Sequence, residues 1–115
     1  MKNCNPIYYV LRELRVPAYI RGYKYLYDSL SYLSQVDEPA EVNLTRHVYP
    51  YIAHQNNVTT GAIDRGIRIA VAMAWKMIPT EIRREYGFYN QLGEPSVKEF
   101  IFTAFRHMQN AEIET

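Results

Sequence analysis

Apolar residues recur at spacings of three and four along almost the whole chain, and no segment alternates convincingly with a period of two. Helices bury a stripe that repeats every 3.6 residues, whereas strands bury every second side chain. The pattern therefore predicts an all-α fold. Ile20, Tyr23, Tyr27, Leu30 and Leu33 form one such stripe, and Phe100, Ile101, Ala104, Phe105 and Met108 form another. The 115 residues suit one compact domain, and no repeat, low-complexity tract or linker divides residues 1–115. Eleven Tyr residues supply core volume with polar tips that can reach the surface.

Punctuation residues divide the pattern into six helices joined by short connections. The first is expected over about 6–14, before Pro17 forces Val16 from helical angles. A second covers about 19–35, followed by the polar loop Asp37-Glu38-Pro39-Ala40-Glu41. A third begins near Asn43, a favoured N-cap residue, and runs to about 55, with a kink or early stop expected at Pro50. Asn56-Asn57-Val58 reads as a tight turn, and a fourth helix follows over about 60–76. Pro79 opens a short fifth helix ending at Gly87, and Ser96-Val97-Lys98-Glu99 has the capping-box form that starts the last.

Several function classes find no support. The formal net charge of +1 gives no whole-chain sign of nucleic-acid binding, so any basic footprint must be local. One such cluster is N-terminal: up to Tyr25, Lys2, Arg12, Arg15, Arg21 and Lys24 face a single acid, Glu13, a local charge of +4. Arg21 and Lys24 are its best candidates for phosphate contacts. The single cysteine, Cys4, permits no internal disulfide and has no base near it in sequence. His47 and His54 stand seven residues apart, roughly 10 Å along a helix, too far for a simple shared metal site. There is no Gly-rich phosphate loop, and neither enzyme activity nor a cofactor is expected. The start of the chain lacks the apolar run of a signal peptide, and no apolar stretch reaches the roughly 18 residues of a membrane span. A cytoplasmic protein is expected.

The informative segment is 44–75: a helix, a short turn and a longer helix, the order of a helix-turn-helix. On a wheel at 100° per residue, Ile63, Ile67, Ala70 and Ala74 share the inward face of the fourth helix. Asp64, Arg65 and Arg68 fall opposite, and Gly61 and Ala62 keep the first turn slim. A helix that enters the major groove needs such a slim, dipole-positive end and long side chains that reach base edges. Thr59 and Thr60 can cap the helix, and either hydroxyl can also meet a phosphate. The plain alternative is a solvated face on which Asp64 and Arg68, four residues apart, form a surface ion pair.

Four ordered segments carry a family resemblance. They are Val16-Pro17-Ala18-Tyr19-Ile20-Arg21-Gly22-Tyr23-Lys24-Tyr25-Leu26, Val48-Tyr49-Pro50-Tyr51-Ile52-Ala53, Asp64-Arg65-Gly66-Ile67-Arg68 with Ala74-Trp75, and Glu94-Pro95-Ser96 with Glu99-Phe100-Ile101. Together they resemble the C-terminal DNA-binding effector domain of the sporulation initiation response regulator, over about residues 10–106. The resemblance implies a six-helix domain whose fourth helix reads double-stranded DNA, bound as a head-to-tail pair on tandem sites. It implies contacts to bases and backbone by Arg65 and Arg68, and it makes an RNA polymerase sigma factor a candidate partner through the fifth helix.

Departures from the family pattern carry expectations of their own. Gly61-x-x-Asp64 stands where the family has Ser-x-x-Glu, so Gly61 is expected to cap, and Ala62 replaces an arginine, so affinity or preferred sequence should differ. Glu81, Arg83, Arg84 and Glu85 differ from the usual fifth helix, and Tyr86-Gly87-Phe88-Tyr89 places aromatics near a turn, either as core or as a binding patch. The rival function is accordingly a protein-interaction module that does not read DNA. The family regulator carries a phosphoacceptor receiver domain ahead of its effector, whereas this chain starts almost in the effector region. It is expected to be either a free-standing effector or a fragment. A free-standing effector would bind without a phosphorylation switch and compete with a full-length regulator.

Overall fold

Each apolar stripe winds into a helix in the computed structural model, which describes residues 5–88 and 93–114. Six α-helices and no strand occur among those residues: α1 (Pro6–Glu13), α2 (Arg21–Gln35), α3 (Tyr49–Asn56), α4 (Thr60–Met77), α5 (Thr80–Tyr86) and α6 (Val97–Glu114). Cys4 and Tyr89 lie outside the described residues. The expected inward face of α4 is fully buried at Ile63, Ile67, Ala70 and Ala74, as is the stripe of α6 from Phe100 to Met108.

Caps set the boundaries. The Asn5 side chain accepts from the Ile7 amide at 2.9 Å, and Ser96 Oγ accepts from the Glu99 amide at 3.1 Å. The second helix starts two residues later than its pattern, because Ile20 stays extended (φ −102°, ψ 155°) after the Pro17 turn. Asn43 caps as expected, accepting from the Arg46 amide, but the first turn is a π-helix, Leu44–Val48, that gives way to α3 at Tyr49. Pro50 supplies the reason. It has no amide hydrogen, and its ring would strike the carbonyl four residues back in a regular α-helix. Widening that turn clears the ring, so the expected kink becomes a change of helix type.

Helices α1, α3 and α5 end in one way. After each, a residue turns left-handed: Arg15 (φ 63°), Asn57 (φ 57°) and Gly87 (φ 84°). The following amide then reaches back to close the end: Val16 to the Leu11 carbonyl, Val58 to Ala53 and Phe88 to Arg83, at 3.0, 3.0 and 3.1 Å. This is the Schellman closure, which satisfies carbonyls the helix would otherwise leave bare. Asn57 makes the turn between α3 and α4. Asn tolerates the left-handed region better than other side chains, so Asn57→Ala is expected to cost about 1 kcal/mol and Asn57→Gly little or nothing. Urea unfolding checks this; an unchanged midpoint for the Ala variant would show that position 57 carries no such strain.

Packing centres on α2 against α4. A Cβ on Gly22 would lie 2.2 Å from the Gly66 carbonyl oxygen and 2.7 Å from the Ala70 methyl, and one on Gly66 would lie 2.8 Å from the Tyr25 ring. The two backbones therefore touch where both residues are glycine. This contact fixes the N-terminal end of α2 beside that of α4.

Of the aromatics at the end of α5, Tyr86 and Phe88 are core and not an exposed patch, for both are buried. The Tyr86 hydroxyl donates to Glu13 of α1 at 2.6 Å, and its ring stacks on His107 of α6 at 3.7 Å. Burial and the Glu13 carboxylate push the Tyr86 hydroxyl pKa far above its ordinary value. Phe88 meets Trp75 edge-on, and the Arg83 guanidinium lies 3.9 Å over the Trp75 ring while donating to the Trp75 carbonyl. Arg83 thus ties α5 to α4.

Candidate nucleic-acid interface

The site is the N-terminal half of α4 and the surfaces beside it. Thr59 is the N-cap: its backbone is extended and its hydroxyl accepts from the Ala62 amide at 3.0 Å. The cap therefore falls two residues ahead of Gly61, which is an exposed residue within the first turn and not a cap. The reason is local. A threonine at this position satisfies the amide three residues on, which a glycine cannot do with a side chain. Thr60 and Gly61 are exposed, and Ala62 is half-buried. A Cβ on Gly61 would meet only the Thr59 hydroxyl, at 3.8 Å, so the helix end is open to a large neighbour.

Asp64, Arg65 and Arg68 all point away from the core, but in two directions. Arg65 lies in a groove against α2 with Ala62, Tyr19 and Arg21. Asp64 leans the other way, into a groove with Tyr49, Asn43 and Lys98. Arg68 is exposed and ion-paired to Asp64 one turn back, so the surface pair anticipated as the plain alternative does form. Tyr49 packs beneath them, and its hydroxyl pKa is pushed up to about 12, chiefly by burial and then by the Asp64 charge, with Arg68 opposing.

The glycine contact brings Arg21 and Lys24 to the same face. Arg21 shares the groove of Arg65 and, with Lys24, also flanks Asn56 and Val58 at the turn before α4. Lys24 pairs with Asp28 at 3.0 Å, whereas neither Arg21 nor Arg65 has an ion-pair partner among the described residues. Asn56, expected only as part of the tight turn, also anchors it: its side-chain amide donates to Asp28 of α2 at 3.1 Å and to the Ile52 carbonyl at 2.9 Å. Ile69, half-exposed one turn beyond Arg65, also lines the groove; its spacing of four from Arg65 was the available signal. The three-dimensional result is a slim, capped helix end with four cations around it, two of them held by carboxylates on their own helices.

His47 is occupied locally, its Nδ1 accepting the Asn43 amide at 2.9 Å. Among the described residues no helix is long and apolar enough to cross a membrane. In comparison with known families, residues 7–108 match the model described as the sporulation initiation factor Spo0A C terminal.

Proposed function

From the premise that the chain belongs to the family of the sporulation initiation factor Spo0A C-terminal domain, a DNA-binding effector domain of a sporulation regulator, we propose that it reads duplex DNA sequence-specifically with α4 in the major groove. The observation that carries this reading is the exposed Arg65, without an ion-pair partner among the described residues, beside the slim end of α4, with Arg21 on the same rim. Arg65 donates to a base edge, for which its planar fork is suited, and Arg68 serves bases or backbone once it leaves or shares Asp64. Thr59, Thr60 and the amides around Gly61 and Ala62 meet phosphate at the positive end of the helix dipole. Arg21 and Lys24 hold the backbone on the α2 side and set the register of the helix.

A regulator of this kind acts where the chromosome is, in the cytoplasm. On tandem sites two copies bind head to tail, each raising the effective concentration of the other. A sigma factor would meet the exposed charges of α5, Glu81, Arg84 and Glu85, because its aromatics are buried. The test is a titration of a cognate operator and a scrambled duplex across a salt series. With two to four phosphate contacts per chain, log K should fall against log salt with a slope of about −2 to −4. The operator should hold a preference over the scrambled duplex at every salt. Equal binding to both duplexes would remove the specific reading and leave a charge-driven contact.

A further inference from the structure

Beyond the DNA face lies a second surface, which shares with it only Tyr19 at its edge. A groove of about 880 Å³ runs between α1, the 14–20 connection and the C-terminal end of α4. Tyr8, Val16, Met73 and Met77 make its walls apolar, and Arg12, Arg15 and Lys76 are its charged residues, with no acid among those that line it. Large apolar side chains stand open to solvent there: Tyr19 is 84% exposed, Met77 67% and Tyr8 52%. Apolar side chains gathered in one groove and rimmed by polar or charged groups are a feature of contact surfaces.

We infer that this groove docks an acidic amphipathic helix of a partner protein. Three features select that occupant. The cations on the apolar groove are complementary to carboxylates flanking an apolar stripe. The trough is open along its length, so a small molecule would keep much of its own surface in water, whereas an amphipathic helix has only one face to bury. Two methionines offer adaptable contacts suited to a helix face. Met73, Lys76 and Met77 also lie 8–12 residues beyond Arg65 on α4, about 12–18 Å along its axis. The groove therefore stays open while the other end of the helix is on DNA.

The probe is a fluorescein-labelled helical peptide of about 18 residues, Leu along one face and Glu along the other, with a control carrying Lys for every Glu. Fluorescence anisotropy is read with the intact chain, free and saturated with operator duplex. The acidic peptide should bind about tenfold or more tightly than the basic one, with or without DNA. Arg12→Glu combined with Lys76→Glu should reverse that order while leaving operator affinity within about twofold, since both sites lie off the DNA face. Met77→Asp should weaken the acidic peptide, and circular dichroism confirms that these exposed substitutions leave the fold intact. Equal affinity for the two peptides, or binding of the acidic one unaltered by Met77→Asp, would overturn the proposal. A fall in operator affinity in the charge-reversed variant would make the cations a phosphate surface and overturn it too. Self-association abolished by Met77→Asp would assign the groove to a second copy of the chain instead.

Discussion

Replacing Arg65 with Ala is expected to lower affinity for the cognate duplex by about 1–3 kcal/mol, roughly fivefold to 150-fold, with little change on a scrambled duplex. The expectation rests on the free state of this side chain. Arg65 is exposed and bound to no carboxylate among the described residues, so it enters the complex without first breaking an ion pair. Arg68 does not start from there, because Asp64 already holds it. An exposed pair of this spacing is worth only about 0.3–0.5 kcal/mol, so Arg68 can leave, but part of what it gains on DNA is offset. Arg68→Ala should therefore cost less than Arg65→Ala. Asp64→Asn should raise affinity for every sequence, by removing a negative charge from the reading end and releasing Arg68 together. Anisotropy titrations of the three variants on cognate and scrambled duplexes separate the outcomes. An equal loss on both duplexes for Arg65→Ala would make it a phosphate contact; no loss on either would remove it from the interface.

The largest effect on stability is expected at Gly22. An added methyl would sit 2.2 Å from a backbone oxygen of α4, and a carbonyl inside a helix cannot turn aside as a side-chain tip can. Gly22→Ala must therefore push α2 away from α4, at about 3 kcal/mol or more, the upper end for overpacking. Gly66→Ala should cost less, because the nearest atoms belong to the Tyr25 ring, which can shift within its pocket. Chemical denaturation should rank Gly22→Ala below Gly66→Ala and both below the parent. Because α2 carries Arg21, the surviving folded fraction of Gly22→Ala should also bind DNA less well than Arg21 intact would allow. A Gly22→Ala protein as stable as the parent would mean that the two backbones do not meet here.

Most of the architecture was legible because one signal dominates it. The spacing of Ile63, Ile67, Ala70 and Ala74 needs no knowledge of neighbours to predict burial, and Ser96 and Asn43 cap through bonds made within a few residues. What escaped depends on partners far away in the chain. The fate of Tyr86 and Phe88 was decided by Glu13, His107 and Trp75, which no local pattern announces. The π-turn required weighing Pro50 against the carbonyls before it, not merely noting a breaker. At the candidate site, the residue types of the α4 face could be read from its wheel, and the family resemblance singled out Arg65 and Arg68. The wheel could not show that Asp64 and Arg65 part into separate grooves, because that division is made by α2 on one flank and the 40–49 segment on the other. The cap at Thr59 was half visible: the residue was named as one of two candidates, while the family comparison pointed to Gly61.

The recurring left-handed closures bear on how quickly this chain can reach its fold. A helix that ends in such a hook turns the chain back within a few residues, so α1 meets α2 and α3 meets α4 through short loops that lose little entropy on closing. Pairs of this kind can form early and locally, in the range where helical proteins fold in microseconds to milliseconds. The Gly22–Gly66 contact joins residues far apart in sequence, so closing its loop costs more entropy than closing either pair. The capped end of α4 therefore waits on a long-range contact, and it loses its neighbour Arg21 whenever α2 lifts away from α4.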